Sequence, residues 1–150
     1  GKEQNRKDLT AIVIAHNPAY VAQATPADPR DFMGKVQKAL KADGPSFINV
    51  LAPCHRGWRC KPDSGIAIAQ LAVDTCFWPI FEWERPGKFT VNYKPKEKMP
   101  VEEWLKLQGR FRHLFEPKNK HIIAEIQTEV DRRWNELLSL EEMTKNIQIG

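Results

Sequence analysis

The stretch YVAQATPADPRDFMGKVQKALKADGPSFINVL, residues 20–51, decides the fold class. It begins with a short apolar strand at Tyr20–Ala24 and ends with a second apolar strand at 47–51. Between them lies a helical pattern that an Asp-Pro pair at 28–29 opens and a Gly-Pro pair at 44–45 closes. A strand, a helix and a strand with tight connections predict a parallel α/β unit whose crossover is right-handed.

The remainder of the chain predicts two more strands and four more helices around this unit. The strands alternate in hydrophobicity and are joined by Arg-Pro-Gly-Lys, so they predict a peripheral antiparallel hairpin. The last helix carries an apolar stripe with Trp134 at its centre, which is typical of a core or a subunit contact. We expect an α/β domain over 1–98 and a helical extension over 99–150 that packs on it or on a partner subunit. The further predicted elements are helices at 9–15, 65–75, 101–110 and 120–140 and strands at 80–84 and 89–93.

Length and composition indicate one ordinary globular unit. The chain has 150 residues, of which 41% are hydrophobic and 28% charged. Its net charge of +4 is spread among acidic residues rather than massed on one element, which argues against nucleic-acid binding. No apolar run approaches the roughly 18 residues of a membrane helix, so we expect no membrane association and a cytoplasmic location. The polar start without methionine suggests a piece of a longer protein.

The segment NVLAPCHRGW, residues 49–58, places Cys54 where an apolar strand meets a loop. The carboxyl edge of an α/β sheet is where such folds keep their ligands, although a lone cysteine is more often a small buried hydrophobe. Cys60 and Cys76 complete an odd set without a CxxC motif, so neither a disulfide framework nor a self-contained zinc site is indicated. We expect Cys60 to be an exposed thiol and Cys76 a core residue.

No catalytic set can be assembled from the remaining polar residues. There is no GxSxG motif and no glycine-rich phosphate loop. Arg56, Trp58 and Arg59 either screen a negative charge on Cys54 or meet an acidic partner, or they form a solvated basic loop with the tryptophan packed as a lid. Four histidines are predicted to be structural or solvent-facing: His16, His55, His113 and His121.

Five motifs, in this order, carry a resemblance to a known family. They are KDLTAIVIAH at 7–16, YVAQAT at 20–25, GPSFINVLAPCHRGW at 44–58, FWPIFEWE at 77–84 and MPVEEWLKLQGRFRHLF at 99–115. Together they resemble the C-terminal half of the thiamine-diphosphate-binding β subunit of the 2-oxoacid:ferredoxin oxidoreductase family, in particular the pyruvate:ferredoxin oxidoreductases or pyruvate synthases. The chain departs from the family at His16-Asn17-Pro18-Ala19, where relatives commonly read HGIPY, so we expect a changed turn there.

The resemblance implies a fold, a cofactor set and partners. The fold would be the second half of a thiamine-diphosphate-binding α/β domain. Cys54 would supply one ligand of a [4Fe-4S] cluster, and three cysteines of the N-terminal half would supply the others. The motifs for thiamine diphosphate and Mg²⁺ would also lie in that half. The implied partners are the N-terminal half of the β subunit, the α, γ and δ subunits, ferredoxin and coenzyme A.

The implied activity is the oxidative decarboxylation of pyruvate with coenzyme A, with electrons passing through iron-sulfur clusters to ferredoxin. This chain alone is expected to be inactive. Two alternatives remain open at the level of the sequence. One is a family member that acts on a different 2-oxoacid, and the other is a non-catalytic α/β interaction module that keeps the fold without the chemistry.

Overall fold

The computed structural model describes residues 6–149, which form one four-stranded sheet with six α-helices around it. Short 3-10 helices at Pro62–Ser64, Gly109–Phe115 and Pro117–Asn119 connect some of these elements. The strands are β1 (Tyr20–Ala24), β2 (Ser46–Val50), β3 (Phe81–Glu84) and β4 (Lys88–Val91). The helices are α1 (Leu9–Ile14), α2 (Pro29–Lys41), α3 (His55–Trp58), α4 (Gly65–Asp74), α5 (Val101–Lys106) and α6 (Lys120–Thr144).

The sheet has the strand order β2-β1-β3-β4 and mixed direction. β1 and β2 are parallel, with Gln23 opposite Asn49, which confirms the predicted strand-helix-strand unit. The predicted hairpin is also present, and it continues the same sheet because β3 pairs antiparallel with β1. β1 is therefore a central strand, and all five of its residues are buried.

The predicted starts of α1 and α2 are confirmed by their caps. The carboxylate of Asp8 accepts a hydrogen bond from the Ala11 amide at 3.0 Å, and that of Asp28 accepts one from the Asp31 amide at 3.0 Å. The turn after α1 contains Asn17 at φ 53°, in the left-handed region that asparagine tolerates better than most residues. Asn17 stands where the HGIPY pattern has glycine, and asparagine is suited to this left-handed backbone conformation.

One face of the sheet is held to α1 by a buried polar chain. Thr10 Oγ1 donates to Gln23 Oε1 at 2.7 Å and accepts from Asn49 Nδ2 at 3.0 Å. The amide nitrogen of Gln23 donates to the carbonyl of Pro79 at 2.8 Å. Because these polar groups hydrogen-bond to each other, the bonds offset the cost of removing the groups from water, and the network fixes α1 across both parallel strands.

The opposite face carries a buried carboxylate, Glu82 of β3. Its oxygens accept hydrogen bonds from the Tyr20 hydroxyl at 2.6 Å, from Lys38 Nζ of α2 at 2.6 Å and from Asn92 Nδ2 at 3.2 Å. Burial by itself raises the pKa of Glu82, but the bonds from Lys38, Tyr20 and Asn92 outweigh burial and hold that pKa below its ordinary value. The charged form is therefore part of the folded structure.

We expect Glu82→Gln to lower the free energy of unfolding by about 2–3 kcal/mol near neutral pH, because charged hydrogen bonds to a buried group are lost. A carboxyl group with a depressed pKa contributes stability above its unfolded-state pKa, and loses it as the pH falls through the folded-state value. The difference between wild type and variant should therefore shrink below about pH 4.3. Denaturant unfolding across pH checks this, and a difference that stays constant with pH would contradict it.

The helical extension packs on the sheet through a shared apolar core. The stripe of α6 faces inward, with Val130, Trp134 and Leu137 buried in one cluster with Trp104 of α5, as predicted for a core. The helix predicted over 101–110 is shorter than expected, because α5 ends at Lys106 and a 3-10 helix follows. Among residues 6–149, no helix combines the length and the apolar character needed to cross a membrane.

The outer edge of β4 is covered by side chains of α6. Glu141 Oε1 accepts from the Val91 amide at 2.8 Å, and Thr144 Oγ1 accepts from the Phe89 amide at 3.0 Å. These contacts explain why α6 continues to Thr144, beyond the predicted end near residue 140. They also satisfy backbone groups that an edge strand otherwise exposes. β2, at the other edge, pairs with β1 alone among the described strands.

Candidate functional site

Cys54 lies at the carboxyl edge of the parallel strands, where the sequence placed it. The chain stays hydrogen-bonded alongside β1 for one residue beyond β2. The Leu51 amide donates to the Ala24 carbonyl at 3.0 Å, and Thr25 Oγ1 donates to the Leu51 carbonyl at 3.1 Å. Cys54 then caps the single turn of α3 in an extended conformation. Its side chain is exposed, so it is not the small buried hydrophobe that a lone cysteine usually is.

The sulfur of Cys54 has a defined local environment. Cys54 Sγ accepts a hydrogen bond from the Gly57 amide at 3.4 Å, while the Cys54 carbonyl accepts from the Trp58 amide at 2.8 Å. An amide that donates to a thiolate sulfur stabilises its negative charge and is one of the protein's means of adjusting a metal centre. The Cys54 sulfur is exposed and accepts a hydrogen bond from a backbone amide, so it is suited to be one ligand of a metal.

The rest of the described chain adds no complete metal site. Within residues 6–149, no three His, Cys, Asp or Glu side chains lie together in a way that could hold a metal ion. A four-iron cluster takes four thiolates, so Cys54 fits such a group only as one of several ligands. The three other thiolates would have to come from another segment or chain.

The two other cysteines differ in their surroundings. Cys60 is half-buried against the apolar core, so the prediction of an exposed thiol was wrong. The Cys60 amide donates to the His55 carbonyl at 3.1 Å, which turns the chain back onto the core. Cys76 is buried, as predicted, in the turn after α4 at φ 58°. Burial raises the pKa of the Cys76 thiol to about 11, so it stays protonated and does not act as a thiolate.

The basic loop after Cys54 divides into an anchored and a solvated part. The Trp58 ring packs edge-on against Trp104, with centroids 5.8 Å apart, so this residue packs as the lid that one interpretation predicted. Arg56 and Arg59 are exposed. Arg59, together with Lys106 and Arg112, lines a basic cleft of about 370 Å³. All four histidines are exposed, as predicted: His16, His55, His113 and His121.

The sequence analysis did not identify residues 108–111 as a segment that packs against this loop. Gly109 donates from its amide to the Arg59 carbonyl at 3.1 Å, and the Arg110 guanidinium lies 4.3 Å from the centre of the Trp58 ring. The signal available in the sequence was a glycine near the end of the predicted helix 101–110, followed by alternating arginine and aromatic residues.

Comparisons with known proteins identify relatives along nearly the whole chain. No protein-family model matches. Pyruvate synthase subunit PorB of Thermotoga maritima is 50% identical over 147 residues, which is 97% of this chain and 45% of the relative. PorB of Methanocaldococcus jannaschii is 44% identical, with 89% of this chain and 43% of the relative covered. Ketoisovalerate oxidoreductase subunit VorB of Pyrococcus furiosus is also 44% identical, with 95% and 45% covered.

The chain therefore spans less than half the length of these curated relatives, and the part that it matches is a C-terminal half. The α/β architecture and the strand-end position of Cys54 agree with the expectation drawn from the motifs. This chain is a homologue of the C-terminal half of the β subunits named PorB and VorB.

Proposed function

We propose that the chain forms the C-terminal half of the β subunit of a 2-oxoacid:ferredoxin oxidoreductase, and that its substrate is pyruvate. The observation that carries the proposal is the exposed Cys54 sulfur at the carboxyl edge of β1 and β2, in a chain 50% identical to a pyruvate synthase subunit. The reaction would convert pyruvate and coenzyme A to acetyl-coenzyme A and carbon dioxide. The two electrons released would reach ferredoxin one at a time.

In this proposal the chain contributes one ligand and its surroundings. Cys54 Sγ would bind one iron of a [4Fe-4S] cluster, and the Gly57 amide would stabilise the negative charge on that sulfur. Thiamine diphosphate with Mg²⁺ supplies the decarboxylation chemistry, and iron-sulfur clusters supply single-electron transfer. The exposed guanidinium groups of Arg56 and Arg59 would lie near the cluster and favour its reduced, more negative state.

The fold leaves an edge for the remainder of the subunit. β2 has β1 as its one neighbour among the described strands, and four of its five residues are half-buried rather than buried. An unpaired edge next to the candidate ligand is a natural place for an N-terminal half with the three other thiolates. Further proposed partners are the α, γ and δ subunits, ferredoxin and coenzyme A.

The proposal predicts that the chain of 150 residues neither binds thiamine diphosphate tightly nor oxidises a 2-oxoacid by itself. It offers one cluster thiolate, and a metal site needs its full ligand set before the binding free energy appears. Titration calorimetry with thiamine diphosphate and Mg²⁺, and a pyruvate-dependent dye-reduction assay, check this. Micromolar binding of thiamine diphosphate, or turnover, by the chain alone would show that it contains a complete cofactor site and would contradict the proposal.

A second substrate is favoured by a specific observation, the 44% identity to ketoisovalerate oxidoreductase subunits. Measuring kcat/KM of the complete enzyme for pyruvate and for 2-ketoisovalerate distinguishes the two candidate substrates. A preference for pyruvate supports the proposal, whereas a preference for the branched acid assigns the chain to the second activity. A complete complex with neither iron nor turnover would instead indicate a non-catalytic interaction module.

A further inference from the structure

We propose that Arg110 is a positioning residue for Cys54 and acts on it through Trp58. The inference rests on the proposed function, in which Cys54 binds a cluster, and it assigns a role to a residue far away in the sequence. Two short segments are involved: residues 54–60, here called the cysteine loop, and residues 108–111, called the support segment. They contact each other through one backbone hydrogen bond and one stacked side chain.

The guanidinium group of Arg110 is held in one orientation. It lies 4.3 Å from the ring centroid of Trp58 and 4.6 Å from that of Phe111. Its Nε and Nη2 atoms donate to Gln108 Oε1 at 2.9 and 2.7 Å. Gln108 is itself only 1% exposed, and its amide nitrogen donates to the Trp104 carbonyl at 2.8 Å. Contacts on several sides thus fix a planar cation against the Trp58 ring.

The charge of Arg110 lacks a carboxylate partner among residues 6–149. Its side chain is half-buried, and burial lowers the pKa of the guanidinium, with the Cys60 thiol acting in the opposite direction. A partly desolvated cation costs free energy unless it interacts favourably with its surroundings. The face of Trp58, whose centroid lies 4.3 Å from the guanidinium carbon, provides that interaction.

The backbone of Gly109 brings the support segment against the end of the cysteine loop. Its amide donates to the Arg59 carbonyl at 3.1 Å. A Cβ atom at position 109 would lie 2.9 Å from both the Cβ and the carbonyl oxygen of Arg59, closer than real side chains approach. The glycine therefore permits a contact that any other residue would push apart.

The position of Trp58 is transmitted to the sulfur by α3. The Trp58 amide donates to the Cys54 carbonyl at 2.8 Å, and the adjacent Gly57 amide donates to Cys54 Sγ at 3.4 Å. These amides belong to the single turn that Cys54 caps, and so short a helix depends on tertiary contacts for its order. A change at the Trp58 ring should therefore alter the hydrogen bond to the sulfur.

The test uses Arg110→Ala, Trp58→Ala and the double variant in the complete enzyme. Arg112→Ala serves as a control, because this residue is exposed and its loss changes the net charge equally. We expect Arg110→Ala to speed amide hydrogen exchange in the cysteine loop about tenfold, as follows from losing about 1–2 kcal/mol of local stability. We also expect a changed EPR spectrum and a shifted cluster reduction potential at unchanged iron content.

Because Arg110 acts through Trp58, its removal should add little in the Trp58→Ala background. The inference would be overturned if Arg110→Ala matched Arg112→Ala in amide exchange, EPR spectrum and reduction potential. It would also be overturned if the effects of Arg110→Ala and Trp58→Ala simply added in the double variant. Loss of the proposed function is distinguishable, since it is tested at Cys54 itself. If Cys54 variants lose the cluster while Arg110→Ala leaves the loop unchanged, only the positioning role fails.

Discussion

On the proposed function, the Cys54→Ala variant of the complete enzyme is expected to lose the [4Fe-4S] cluster nearest to the thiamine, or to hold it with three irons. Three remaining thiolates leave one iron with an exchangeable position. Pyruvate-dependent ferredoxin reduction should fall by more than about 100-fold, because even changes in the surroundings of metal ligands cost about 10–100-fold. Iron counting and low-temperature EPR on the purified variant measure the cluster directly.

The two other cysteines provide matched controls for this experiment. Cys76 is buried and protonated, and Cys60 packs against the core, so alanine at either position should leave the iron content unchanged. Cys76→Ala should cost some stability, because it leaves a small cavity. Full cluster content and normal EPR in the Cys54 variant would remove the basis of the assignment.

Trp134→Ala should lower the free energy of unfolding by about 3–5 kcal/mol, as large-to-small changes of buried aromatic residues do. Trp134 is 9% exposed and lies in the cluster that joins α6 to α5 and the sheet. The neighbouring Asn135 is exposed, so Asn135→Ala is a suitable control and should change stability by less than about 0.5 kcal/mol. Denaturant unfolding compares the two variants, and equal stabilities would show that this face of α6 is not core.

Elements with local signals could be predicted from the sequence. The strand-helix-strand unit was correct because its apolar strands, its Asp-Pro start and its Gly-Pro stop all act within a few residues. The same holds for the buried stripe of α6, which repeats at the helical period. Lys35 of α2 shows the limit of this reasoning, since this lysine is only 2% exposed and donates to the Gln23 carbonyl of β1 at 2.8 Å.

Features that depend on distant contacts could not be predicted. α5 ends early because Gln108 is extended and Gly109 bonds to Arg59, a residue that local periodicity does not reveal. The length of α6 follows from its side chains reaching β4, and no helix-stop signal encodes that contact. The hairpin was recognised from its own pattern, but its pairing with β1 is also a contact between distant segments.

The candidate site was predictable in part for the same reason. The position of Cys54 followed from the end of a strand, and its proposed ligand role from the resemblance to a family. The support by Arg110 was missed because its aromatic partner, Trp58, lies far away in the sequence. A cation stacked on a ring leaves no periodic pattern that a single segment could display.

The most direct measurement of the central claim is anomalous diffraction at the iron edge on crystals of the anaerobically purified complete enzyme. The assignment predicts an iron peak within bonding distance of Cys54 Sγ, with three cysteines of the N-terminal half around the same cluster. An iron-loaded enzyme in which the Cys54 sulfur is free, and four other thiolates hold the cluster, would contradict it.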